Sequence, residues 1–285
     1  MPKRASLALC GAAGAVALLI LTWFLAFHVG FFHRLDARIL SGFTPLDGPR
    51  VDPVANAIAQ LCNPKPFVVL SGALLLIAMY RRRFDLALVI AMILLGANVT
   101  THLLKPLLAV QRPALPGERV IGAVSWPSGH ATAAMSLALC LVIVVPARLR
   151  PAAAALGAAF AVAVSFSFLT LGWHYPSDVL GGYLMAGAWT LLGVAVLFTL
   201  RDRSSLNLGS ELADETAERP SLREALRAPA AALAAAIGAA GLIFLVRPHE
   251  VVSYAQYHRT FVVGAVAIAA MGLGLVTAVM LALRR

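Results

Sequence analysis

Long apolar runs, separated by short polar breaks, set the pattern of this chain. They lie at about 5–27, 64–80, 86–108, 129–147, 152–171, 177–200, 228–246 and 260–282, and consist mainly of Leu, Ala, Val, Ile, Phe and Gly. A helix of about 20 such residues crosses the ~30 Å hydrocarbon core of a bilayer. The short alternating segments of a membrane β-barrel are not seen. The run at 64–80 is the shortest and opens on Pro64 and Pro66. The pattern predicts an all-α, polytopic membrane helical bundle. A six-span core covers residues 1–200, a hydrophilic cytoplasmic linker covers 201–227, and a two-span C-terminal extension covers 228–285.

Composition agrees with this reading. The 285 residues are 60% hydrophobic and 13% charged, against roughly 25% charged in a soluble domain. Mean hydropathy is +0.85. The net charge of +10 does not indicate nucleic acid, because the basic residues are scattered at span ends and form no phosphate-tracking face. They set orientation instead. With both termini cytoplasmic, fourteen of the 23 Lys and Arg residues fall inside, including the triple Arg81, Arg82 and Arg83. The basic start and first apolar run read as an uncleaved first span, the run being too long for a signal segment. Cys10, Cys62 and Cys140 show neither pairing nor metal-ligand spacing. No metal, cofactor or partner protein is implied.

In this topology the outer ends of spans three to six collect polar residues at one depth. Lys105 and Arg112 close span three, Ser128, Gly129 and His130 open span four, His174 follows span five, and Asp178 lies in the first turn of span six. Ionisable groups at membrane depth are expensive and mark functional sites. Pro-Ser-Gly at a helix start presents backbone N–H groups to an anion. Lys105 and Arg112 supply positive charge suited to phosphate. Two histidines allow one nucleophile and one general acid, and Asp178 can orient His174 as a triad aspartate does. Trp126, Trp173 and Tyr175 read as interfacial aromatics. His28, His33 and His102 read as packing or interfacial residues, and His249, Glu250 and His258 fit no metal template.

Together, Lys105-x6-Arg112-Pro113, Pro127-Ser128-Gly129-His130 and His174-x3-Asp178 resemble the three motifs of the type 2 phosphatidic acid phosphatase superfamily. That group includes lipid phosphate phosphatases, polyprenyl diphosphate phosphatases and vanadium haloperoxidases. The resemblance covers spans one to six, and it implies a membrane phosphatase of the cell membrane acting on a lipid substrate at the extracytoplasmic face. It further implies His174 as nucleophile, Asp178 as its orienter and His130 as the proton donor. Lys105, Arg112, Ser128 and the Gly129 amide would hold phosphate. The chain departs from the pattern at one position. The third motif carries Arg six residues before the histidine, and this chain has Phe168. Either another cation, such as Arg119, compensates, or the chain is a weak or inactive member that binds a lipid phosphate. Transfer from phosphohistidine to an acceptor other than water is a further alternative.

Overall fold

A computed structural model describes residues 3–112, 121–207 and 221–283. Every regular element among them is helical. Each of the eight apolar runs coincides with a helix: α1 (Lys3–His28), α4 (Pro64–Tyr80), α5 (Phe84–Leu107), α6 (Gly129–Val144), α7 (Arg150–Thr170), α8 (Pro176–Asn207), α9 (Leu222–Val246) and α11 (Arg259–Ala282). Three shorter helices lie between them, α2 (Gly30–Leu40), α3 (Asp52–Gln60) and α10 (Pro248–Tyr257). The protein is a multi-pass membrane protein. Helices α1, α5, α7, α8 and α11 are each long and apolar enough to cross a bilayer, and α3 with α4 forms a span bent by 51°. The bend explains the weak run at 64–80: Cys62 and Asn63 break the helix, and Pro64 restarts it at a position where a missing N–H costs nothing. Pro113, Arg119 and most of the expected linker, residues 208–220, lie outside the described residues.

Helix α6 is too short to span alone and is the most enclosed, with nearly every residue after His130 buried. It packs against α5, α7 and α8. Small residues permit close approach in the absence of a strong hydrophobic drive between helices. A Cβ on Gly182 of α8 would stand 2.8 Å from both the Ala131 Cβ and the Ser128 carbonyl oxygen. Polar pairs join neighbours inside the bundle, Thr101 Oγ1 to Thr132 Oγ1 at 3.1 Å and Ser165 Oγ to Tyr183 Oη at 3.0 Å. At the opposite end from Ser128, Arg81 donates to the carbonyl of Val144, where α6 stops.

The C-terminal pair is docked through α11, which packs on α7, α2, α8 and α6. Tyr254 Oη donates to the Gly42 carbonyl at 2.7 Å, and Arg150 donates to the Leu283 carbonyl at 3.0 Å.

Candidate active site

The turn between α7 and α8 aims the first candidate residue. Helix α7 ends in a Schellman arrangement: Trp173 N–H donates to the Phe168 carbonyl at 2.9 Å, and Gly172 N–H to that of Leu169 at 3.0 Å. Gly172 sits at φ 69, where a residue without Cβ carries no steric penalty. The chain then reverses and Pro176 starts α8. His174 and Asp178 flank this start. Asp178 Oδ2 accepts from Tyr175 N–H at 3.0 Å and pairs with His174 Nδ1 at 3.2 Å. Nε2 of His174 is thereby left facing the site.

Helix α6 begins beside it. Ser128 is the N-cap, its Oγ accepting from Ala131 N–H at 3.3 Å. Its own N–H donates to the Asp178 backbone carbonyl at 2.9 Å, stitching the two helix starts together. His130 is the second residue of α6, with its ring centroid 6.4 Å from that of His174. Its Nε2 lies 3.0 Å from Asn63 Oδ1. Lys105 comes from the last turn of α5, its Nζ 3.9 Å from where a Gly129 Cβ would be. Among the described residues Lys105 makes no ion pair. The structure therefore gathers Lys105, Arg112, Ser128, Gly129, His130, His174 and Asp178 at one end of the bundle. His102 instead points outward, exposed.

Two features depart from the sequence expectations. Tyr175 and Trp126 are buried at 2% exposure and are not interfacial anchors. Arg112, expected as an open phosphate fork, is enclosed. Its Cζ lies 4.3 Å from the ring centroids of both Phe27 and Tyr175. One edge donates to Asp178 Oδ1, and Nη1 donates to Asp36 Oδ2 at 2.7 Å and to Ser177 Oγ at 3.1 Å. Buried Nε has no partner. Of five guanidinium donors, Nε and one N–H of Nη2 are not taken up by these contacts.

Asp36 and Asn63 went unnoticed in the sequence. Asp36 lies on α2, an amphipathic helix where a carboxylate reads as a solvated surface group, and Asn63 reads as a turn residue before proline. Asp36 is buried, and burial, reinforced by nearby Asp178, raises its pKa to about 6 although Arg112 pulls it down. Phe168 is fully buried. Its ring lies 6.0 Å from that of His130 and 5.2 Å from that of His174, forming an apolar wall against both.

Residues 85–202 match the family model described as the PAP2 superfamily. Over that segment the chain is similar to the PAP2 superfamily. The matched segment contains all seven gathered residues and Phe168, whereas Phe27, Asp36 and Asn63 lie outside it. Among solved structures, the chain is similar to the first transmembrane PAP2 type phosphatidylglycerolphosphate phosphatase from Bacillus subtilis. The TM-score is 0.52 and the identity 19%, over 70% of this chain and 98% of that one. At that identity the likeness is one of fold. No curated protein matches the chain.

An apolar cavity of about 630 Å³ adjoins this end of the bundle, between α1, α5 and α8. Its walls include Val16, Trp23, Leu104, Leu108, Trp126 and Met185. Leu104 precedes Lys105 directly, and Trp126 stands two residues before Ser128.

Proposed function

We propose that the protein is an integral membrane phosphatase hydrolysing a lipid phosphate or polyprenyl diphosphate at the extracytoplasmic face of the cell membrane. The observation that carries this reading is the buried chain from Arg112 through Asp178 to His174, set opposite His130. Asp178 holds the proton on Nδ1 of His174, so Nε2 keeps its lone pair for attack. As Nε2 bonds to phosphorus, the phosphorus–oxygen bond to the leaving group breaks, and His130 donates a proton to the departing oxygen. Water then attacks the phosphohistidine, giving its proton to His130. The nitrogen–phosphorus bond breaks and inorganic phosphate leaves. Lys105, Ser128, the Gly129 amide and the remaining donors of Arg112 hold the phosphoryl oxygens, whose charge grows in the transition state.

The adjoining apolar cavity supports an amphiphilic substrate, with the phosphate at Lys105 and a hydrocarbon chain between α1, α5 and α8. A second reading, a catalytically weak member that binds a lipid phosphate, is favoured by Phe168 alone. The test is phosphate release by purified protein in detergent from phosphatidic acid, a polyprenyl diphosphate and p-nitrophenyl phosphate. Wild type is expected to release phosphate from a lipid compound and His174→Ala is not. Equal release by the two proteins defeats hydrolysis, and equal turnover of the soluble ester defeats the lipid assignment.

A further inference from the structure

We propose that Asp36 is a positioning residue of the phosphate site, acting through Arg112 and withholding part of that cation from the substrate. The inference rests on the phosphatase reading for its turnover consequence, and on geometry alone for its binding consequence. Asp36 reaches the site from α2, at 6% exposure. Its Oδ1 accepts from Ser177 N–H at 2.9 Å, and its Oδ2 accepts from Ser177 Oγ at 2.5 Å and Arg112 Nη1 at 2.7 Å. One carboxylate therefore joins the loop after α5 to the first turn of α8. Asp178 holds the other edge of the same guanidinium and also holds His174. With the Phe27 and Tyr175 rings against it and the two carboxylates on Nη1 and Nη2, Arg112 is held in place before a substrate arrives. Such preorganisation lowers the reorganisation needed at the moment of reaction.

Helix α2 is itself held in place. Phe261 fills the space beside Gly42, where a Cβ would approach it to 2.2 Å, and Gly264 lies so close to Ile39 that a Cβ would stand 2.4 Å away. Thr260 Oγ1 donates to the Arg38 carbonyl at 3.3 Å, and Tyr254 reaches the Gly42 carbonyl from α10. Helices α10 and α11 thus brace the element that carries Asp36.

Two carboxylates on one guanidinium leave little net charge for a phosphate. Asp36→Asn keeps the shape and removes one negative charge from a poorly screened site. Released charge then dominates affinity, while the loosened Arg112–Asp178–His174 alignment dominates turnover. The expected result is a split. Inorganic phosphate, measured by equilibrium binding to the detergent-purified protein, binds about tenfold tighter, whereas kcat for the lipid phosphate falls. Asp36→Glu restores wild-type phosphate affinity but not full turnover. Phosphate affinity unchanged or weakened in a folded Asp36→Asn protein overturns the proposal. Should that variant fail to fold, Asp36→Glu decides alone: it keeps the charge but lengthens the arm, and a kcat equal to that of wild type overturns the proposal. The binding measurement needs no turnover, so a wild type no faster than His174→Ala would defeat the phosphatase reading and leave this one to be judged on affinity.

Discussion

Phe168→Arg places a guanidinium against both histidines, where the structure has a buried aromatic ring 5.2 Å from His174 and 6.0 Å from His130. Two effects of opposite sign follow. Restoring one preorganised donor to a phosphoryl site is worth roughly 10²–10³ in kcat, about 2.7–4 kcal/mol of transition-state stabilisation. In the absence of an anion, the new charge has no carboxylate of its own, because Asp178 and Asp36 already serve Arg112. An uncompensated buried ion costs about 3–5 kcal/mol, and the lost aromatic packing adds to it. The apo variant is therefore less stable than wild type, while phosphate at about 1,000 times its Kd returns about 4 kcal/mol. Thermal unfolding in detergent, with and without phosphate, reads the first effect, and phosphate release from the lipid substrate reads the second. The expected variant melts lower in phosphate-free buffer, recovers with phosphate more than wild type does, and turns over faster. A variant that folds, shows no larger phosphate-dependent rise in Tm, and hydrolyses no faster refutes the placement of the phosphoryl group beside Phe168.

Gly182→Leu drives a side chain into Ala131 and the Ser128 carbonyl, so α8 must move from the start of α6. Overpacking of this kind costs about 1–3 kcal/mol, seen as a lower Tm, with a loss of activity in the molecules that remain folded, because the two helix starts carry His130 and Asp178. The raised pKa of Asp36, about 6 against the ordinary carboxylate range, has a definite sign. Below about pH 3 the carboxyl is protonated in folded and unfolded chains alike. As pH rises to about 6 the unfolded chain ionises first, so wild type loses up to about 3 kcal/mol relative to Asp36→Asn, and the difference is flat above that. Tm differences between the two proteins from pH 4 to pH 7 measure this, the other titrating groups being common to both. A difference that is constant over that range removes burial as the dominant influence on Asp36.

Much of the architecture can be read locally. Runs of apolar residues announce helices whether or not their neighbours are known, and each of the eight runs is a helix. Of the eight spans expected, five, or six with the bent α3–α4 pair, are long and apolar enough to cross a bilayer among the described residues. The broken span at α3 and α4 is less visible because α3 is short and amphipathic, and the break falls at Cys62 and Asn63. The site motifs are legible for a similar reason. Each clusters at a helix end, where spacing along the chain limits which side chains can meet, as with His174 and Asp178 four residues apart on one turn.

Contacts between distant segments are not written in any local pattern. Asp36 and Arg112 are 76 residues apart, as Asn63 and His130 are 67. An aspartate on a short amphipathic helix carries the same signal whether it faces water or is buried against Arg112 and Ser177. The sequence by itself determined the membrane class, the helices and the identity of the motif residues, because hydropathy and helix-end chemistry are properties of short stretches. Tertiary structure alone decided that Arg112 is spent on two carboxylates, that Phe168 walls both histidines, and that α11 braces α2. Those outcomes depend on which helix faces pack together, and desolvation gives a charge its meaning only once the packing is complete.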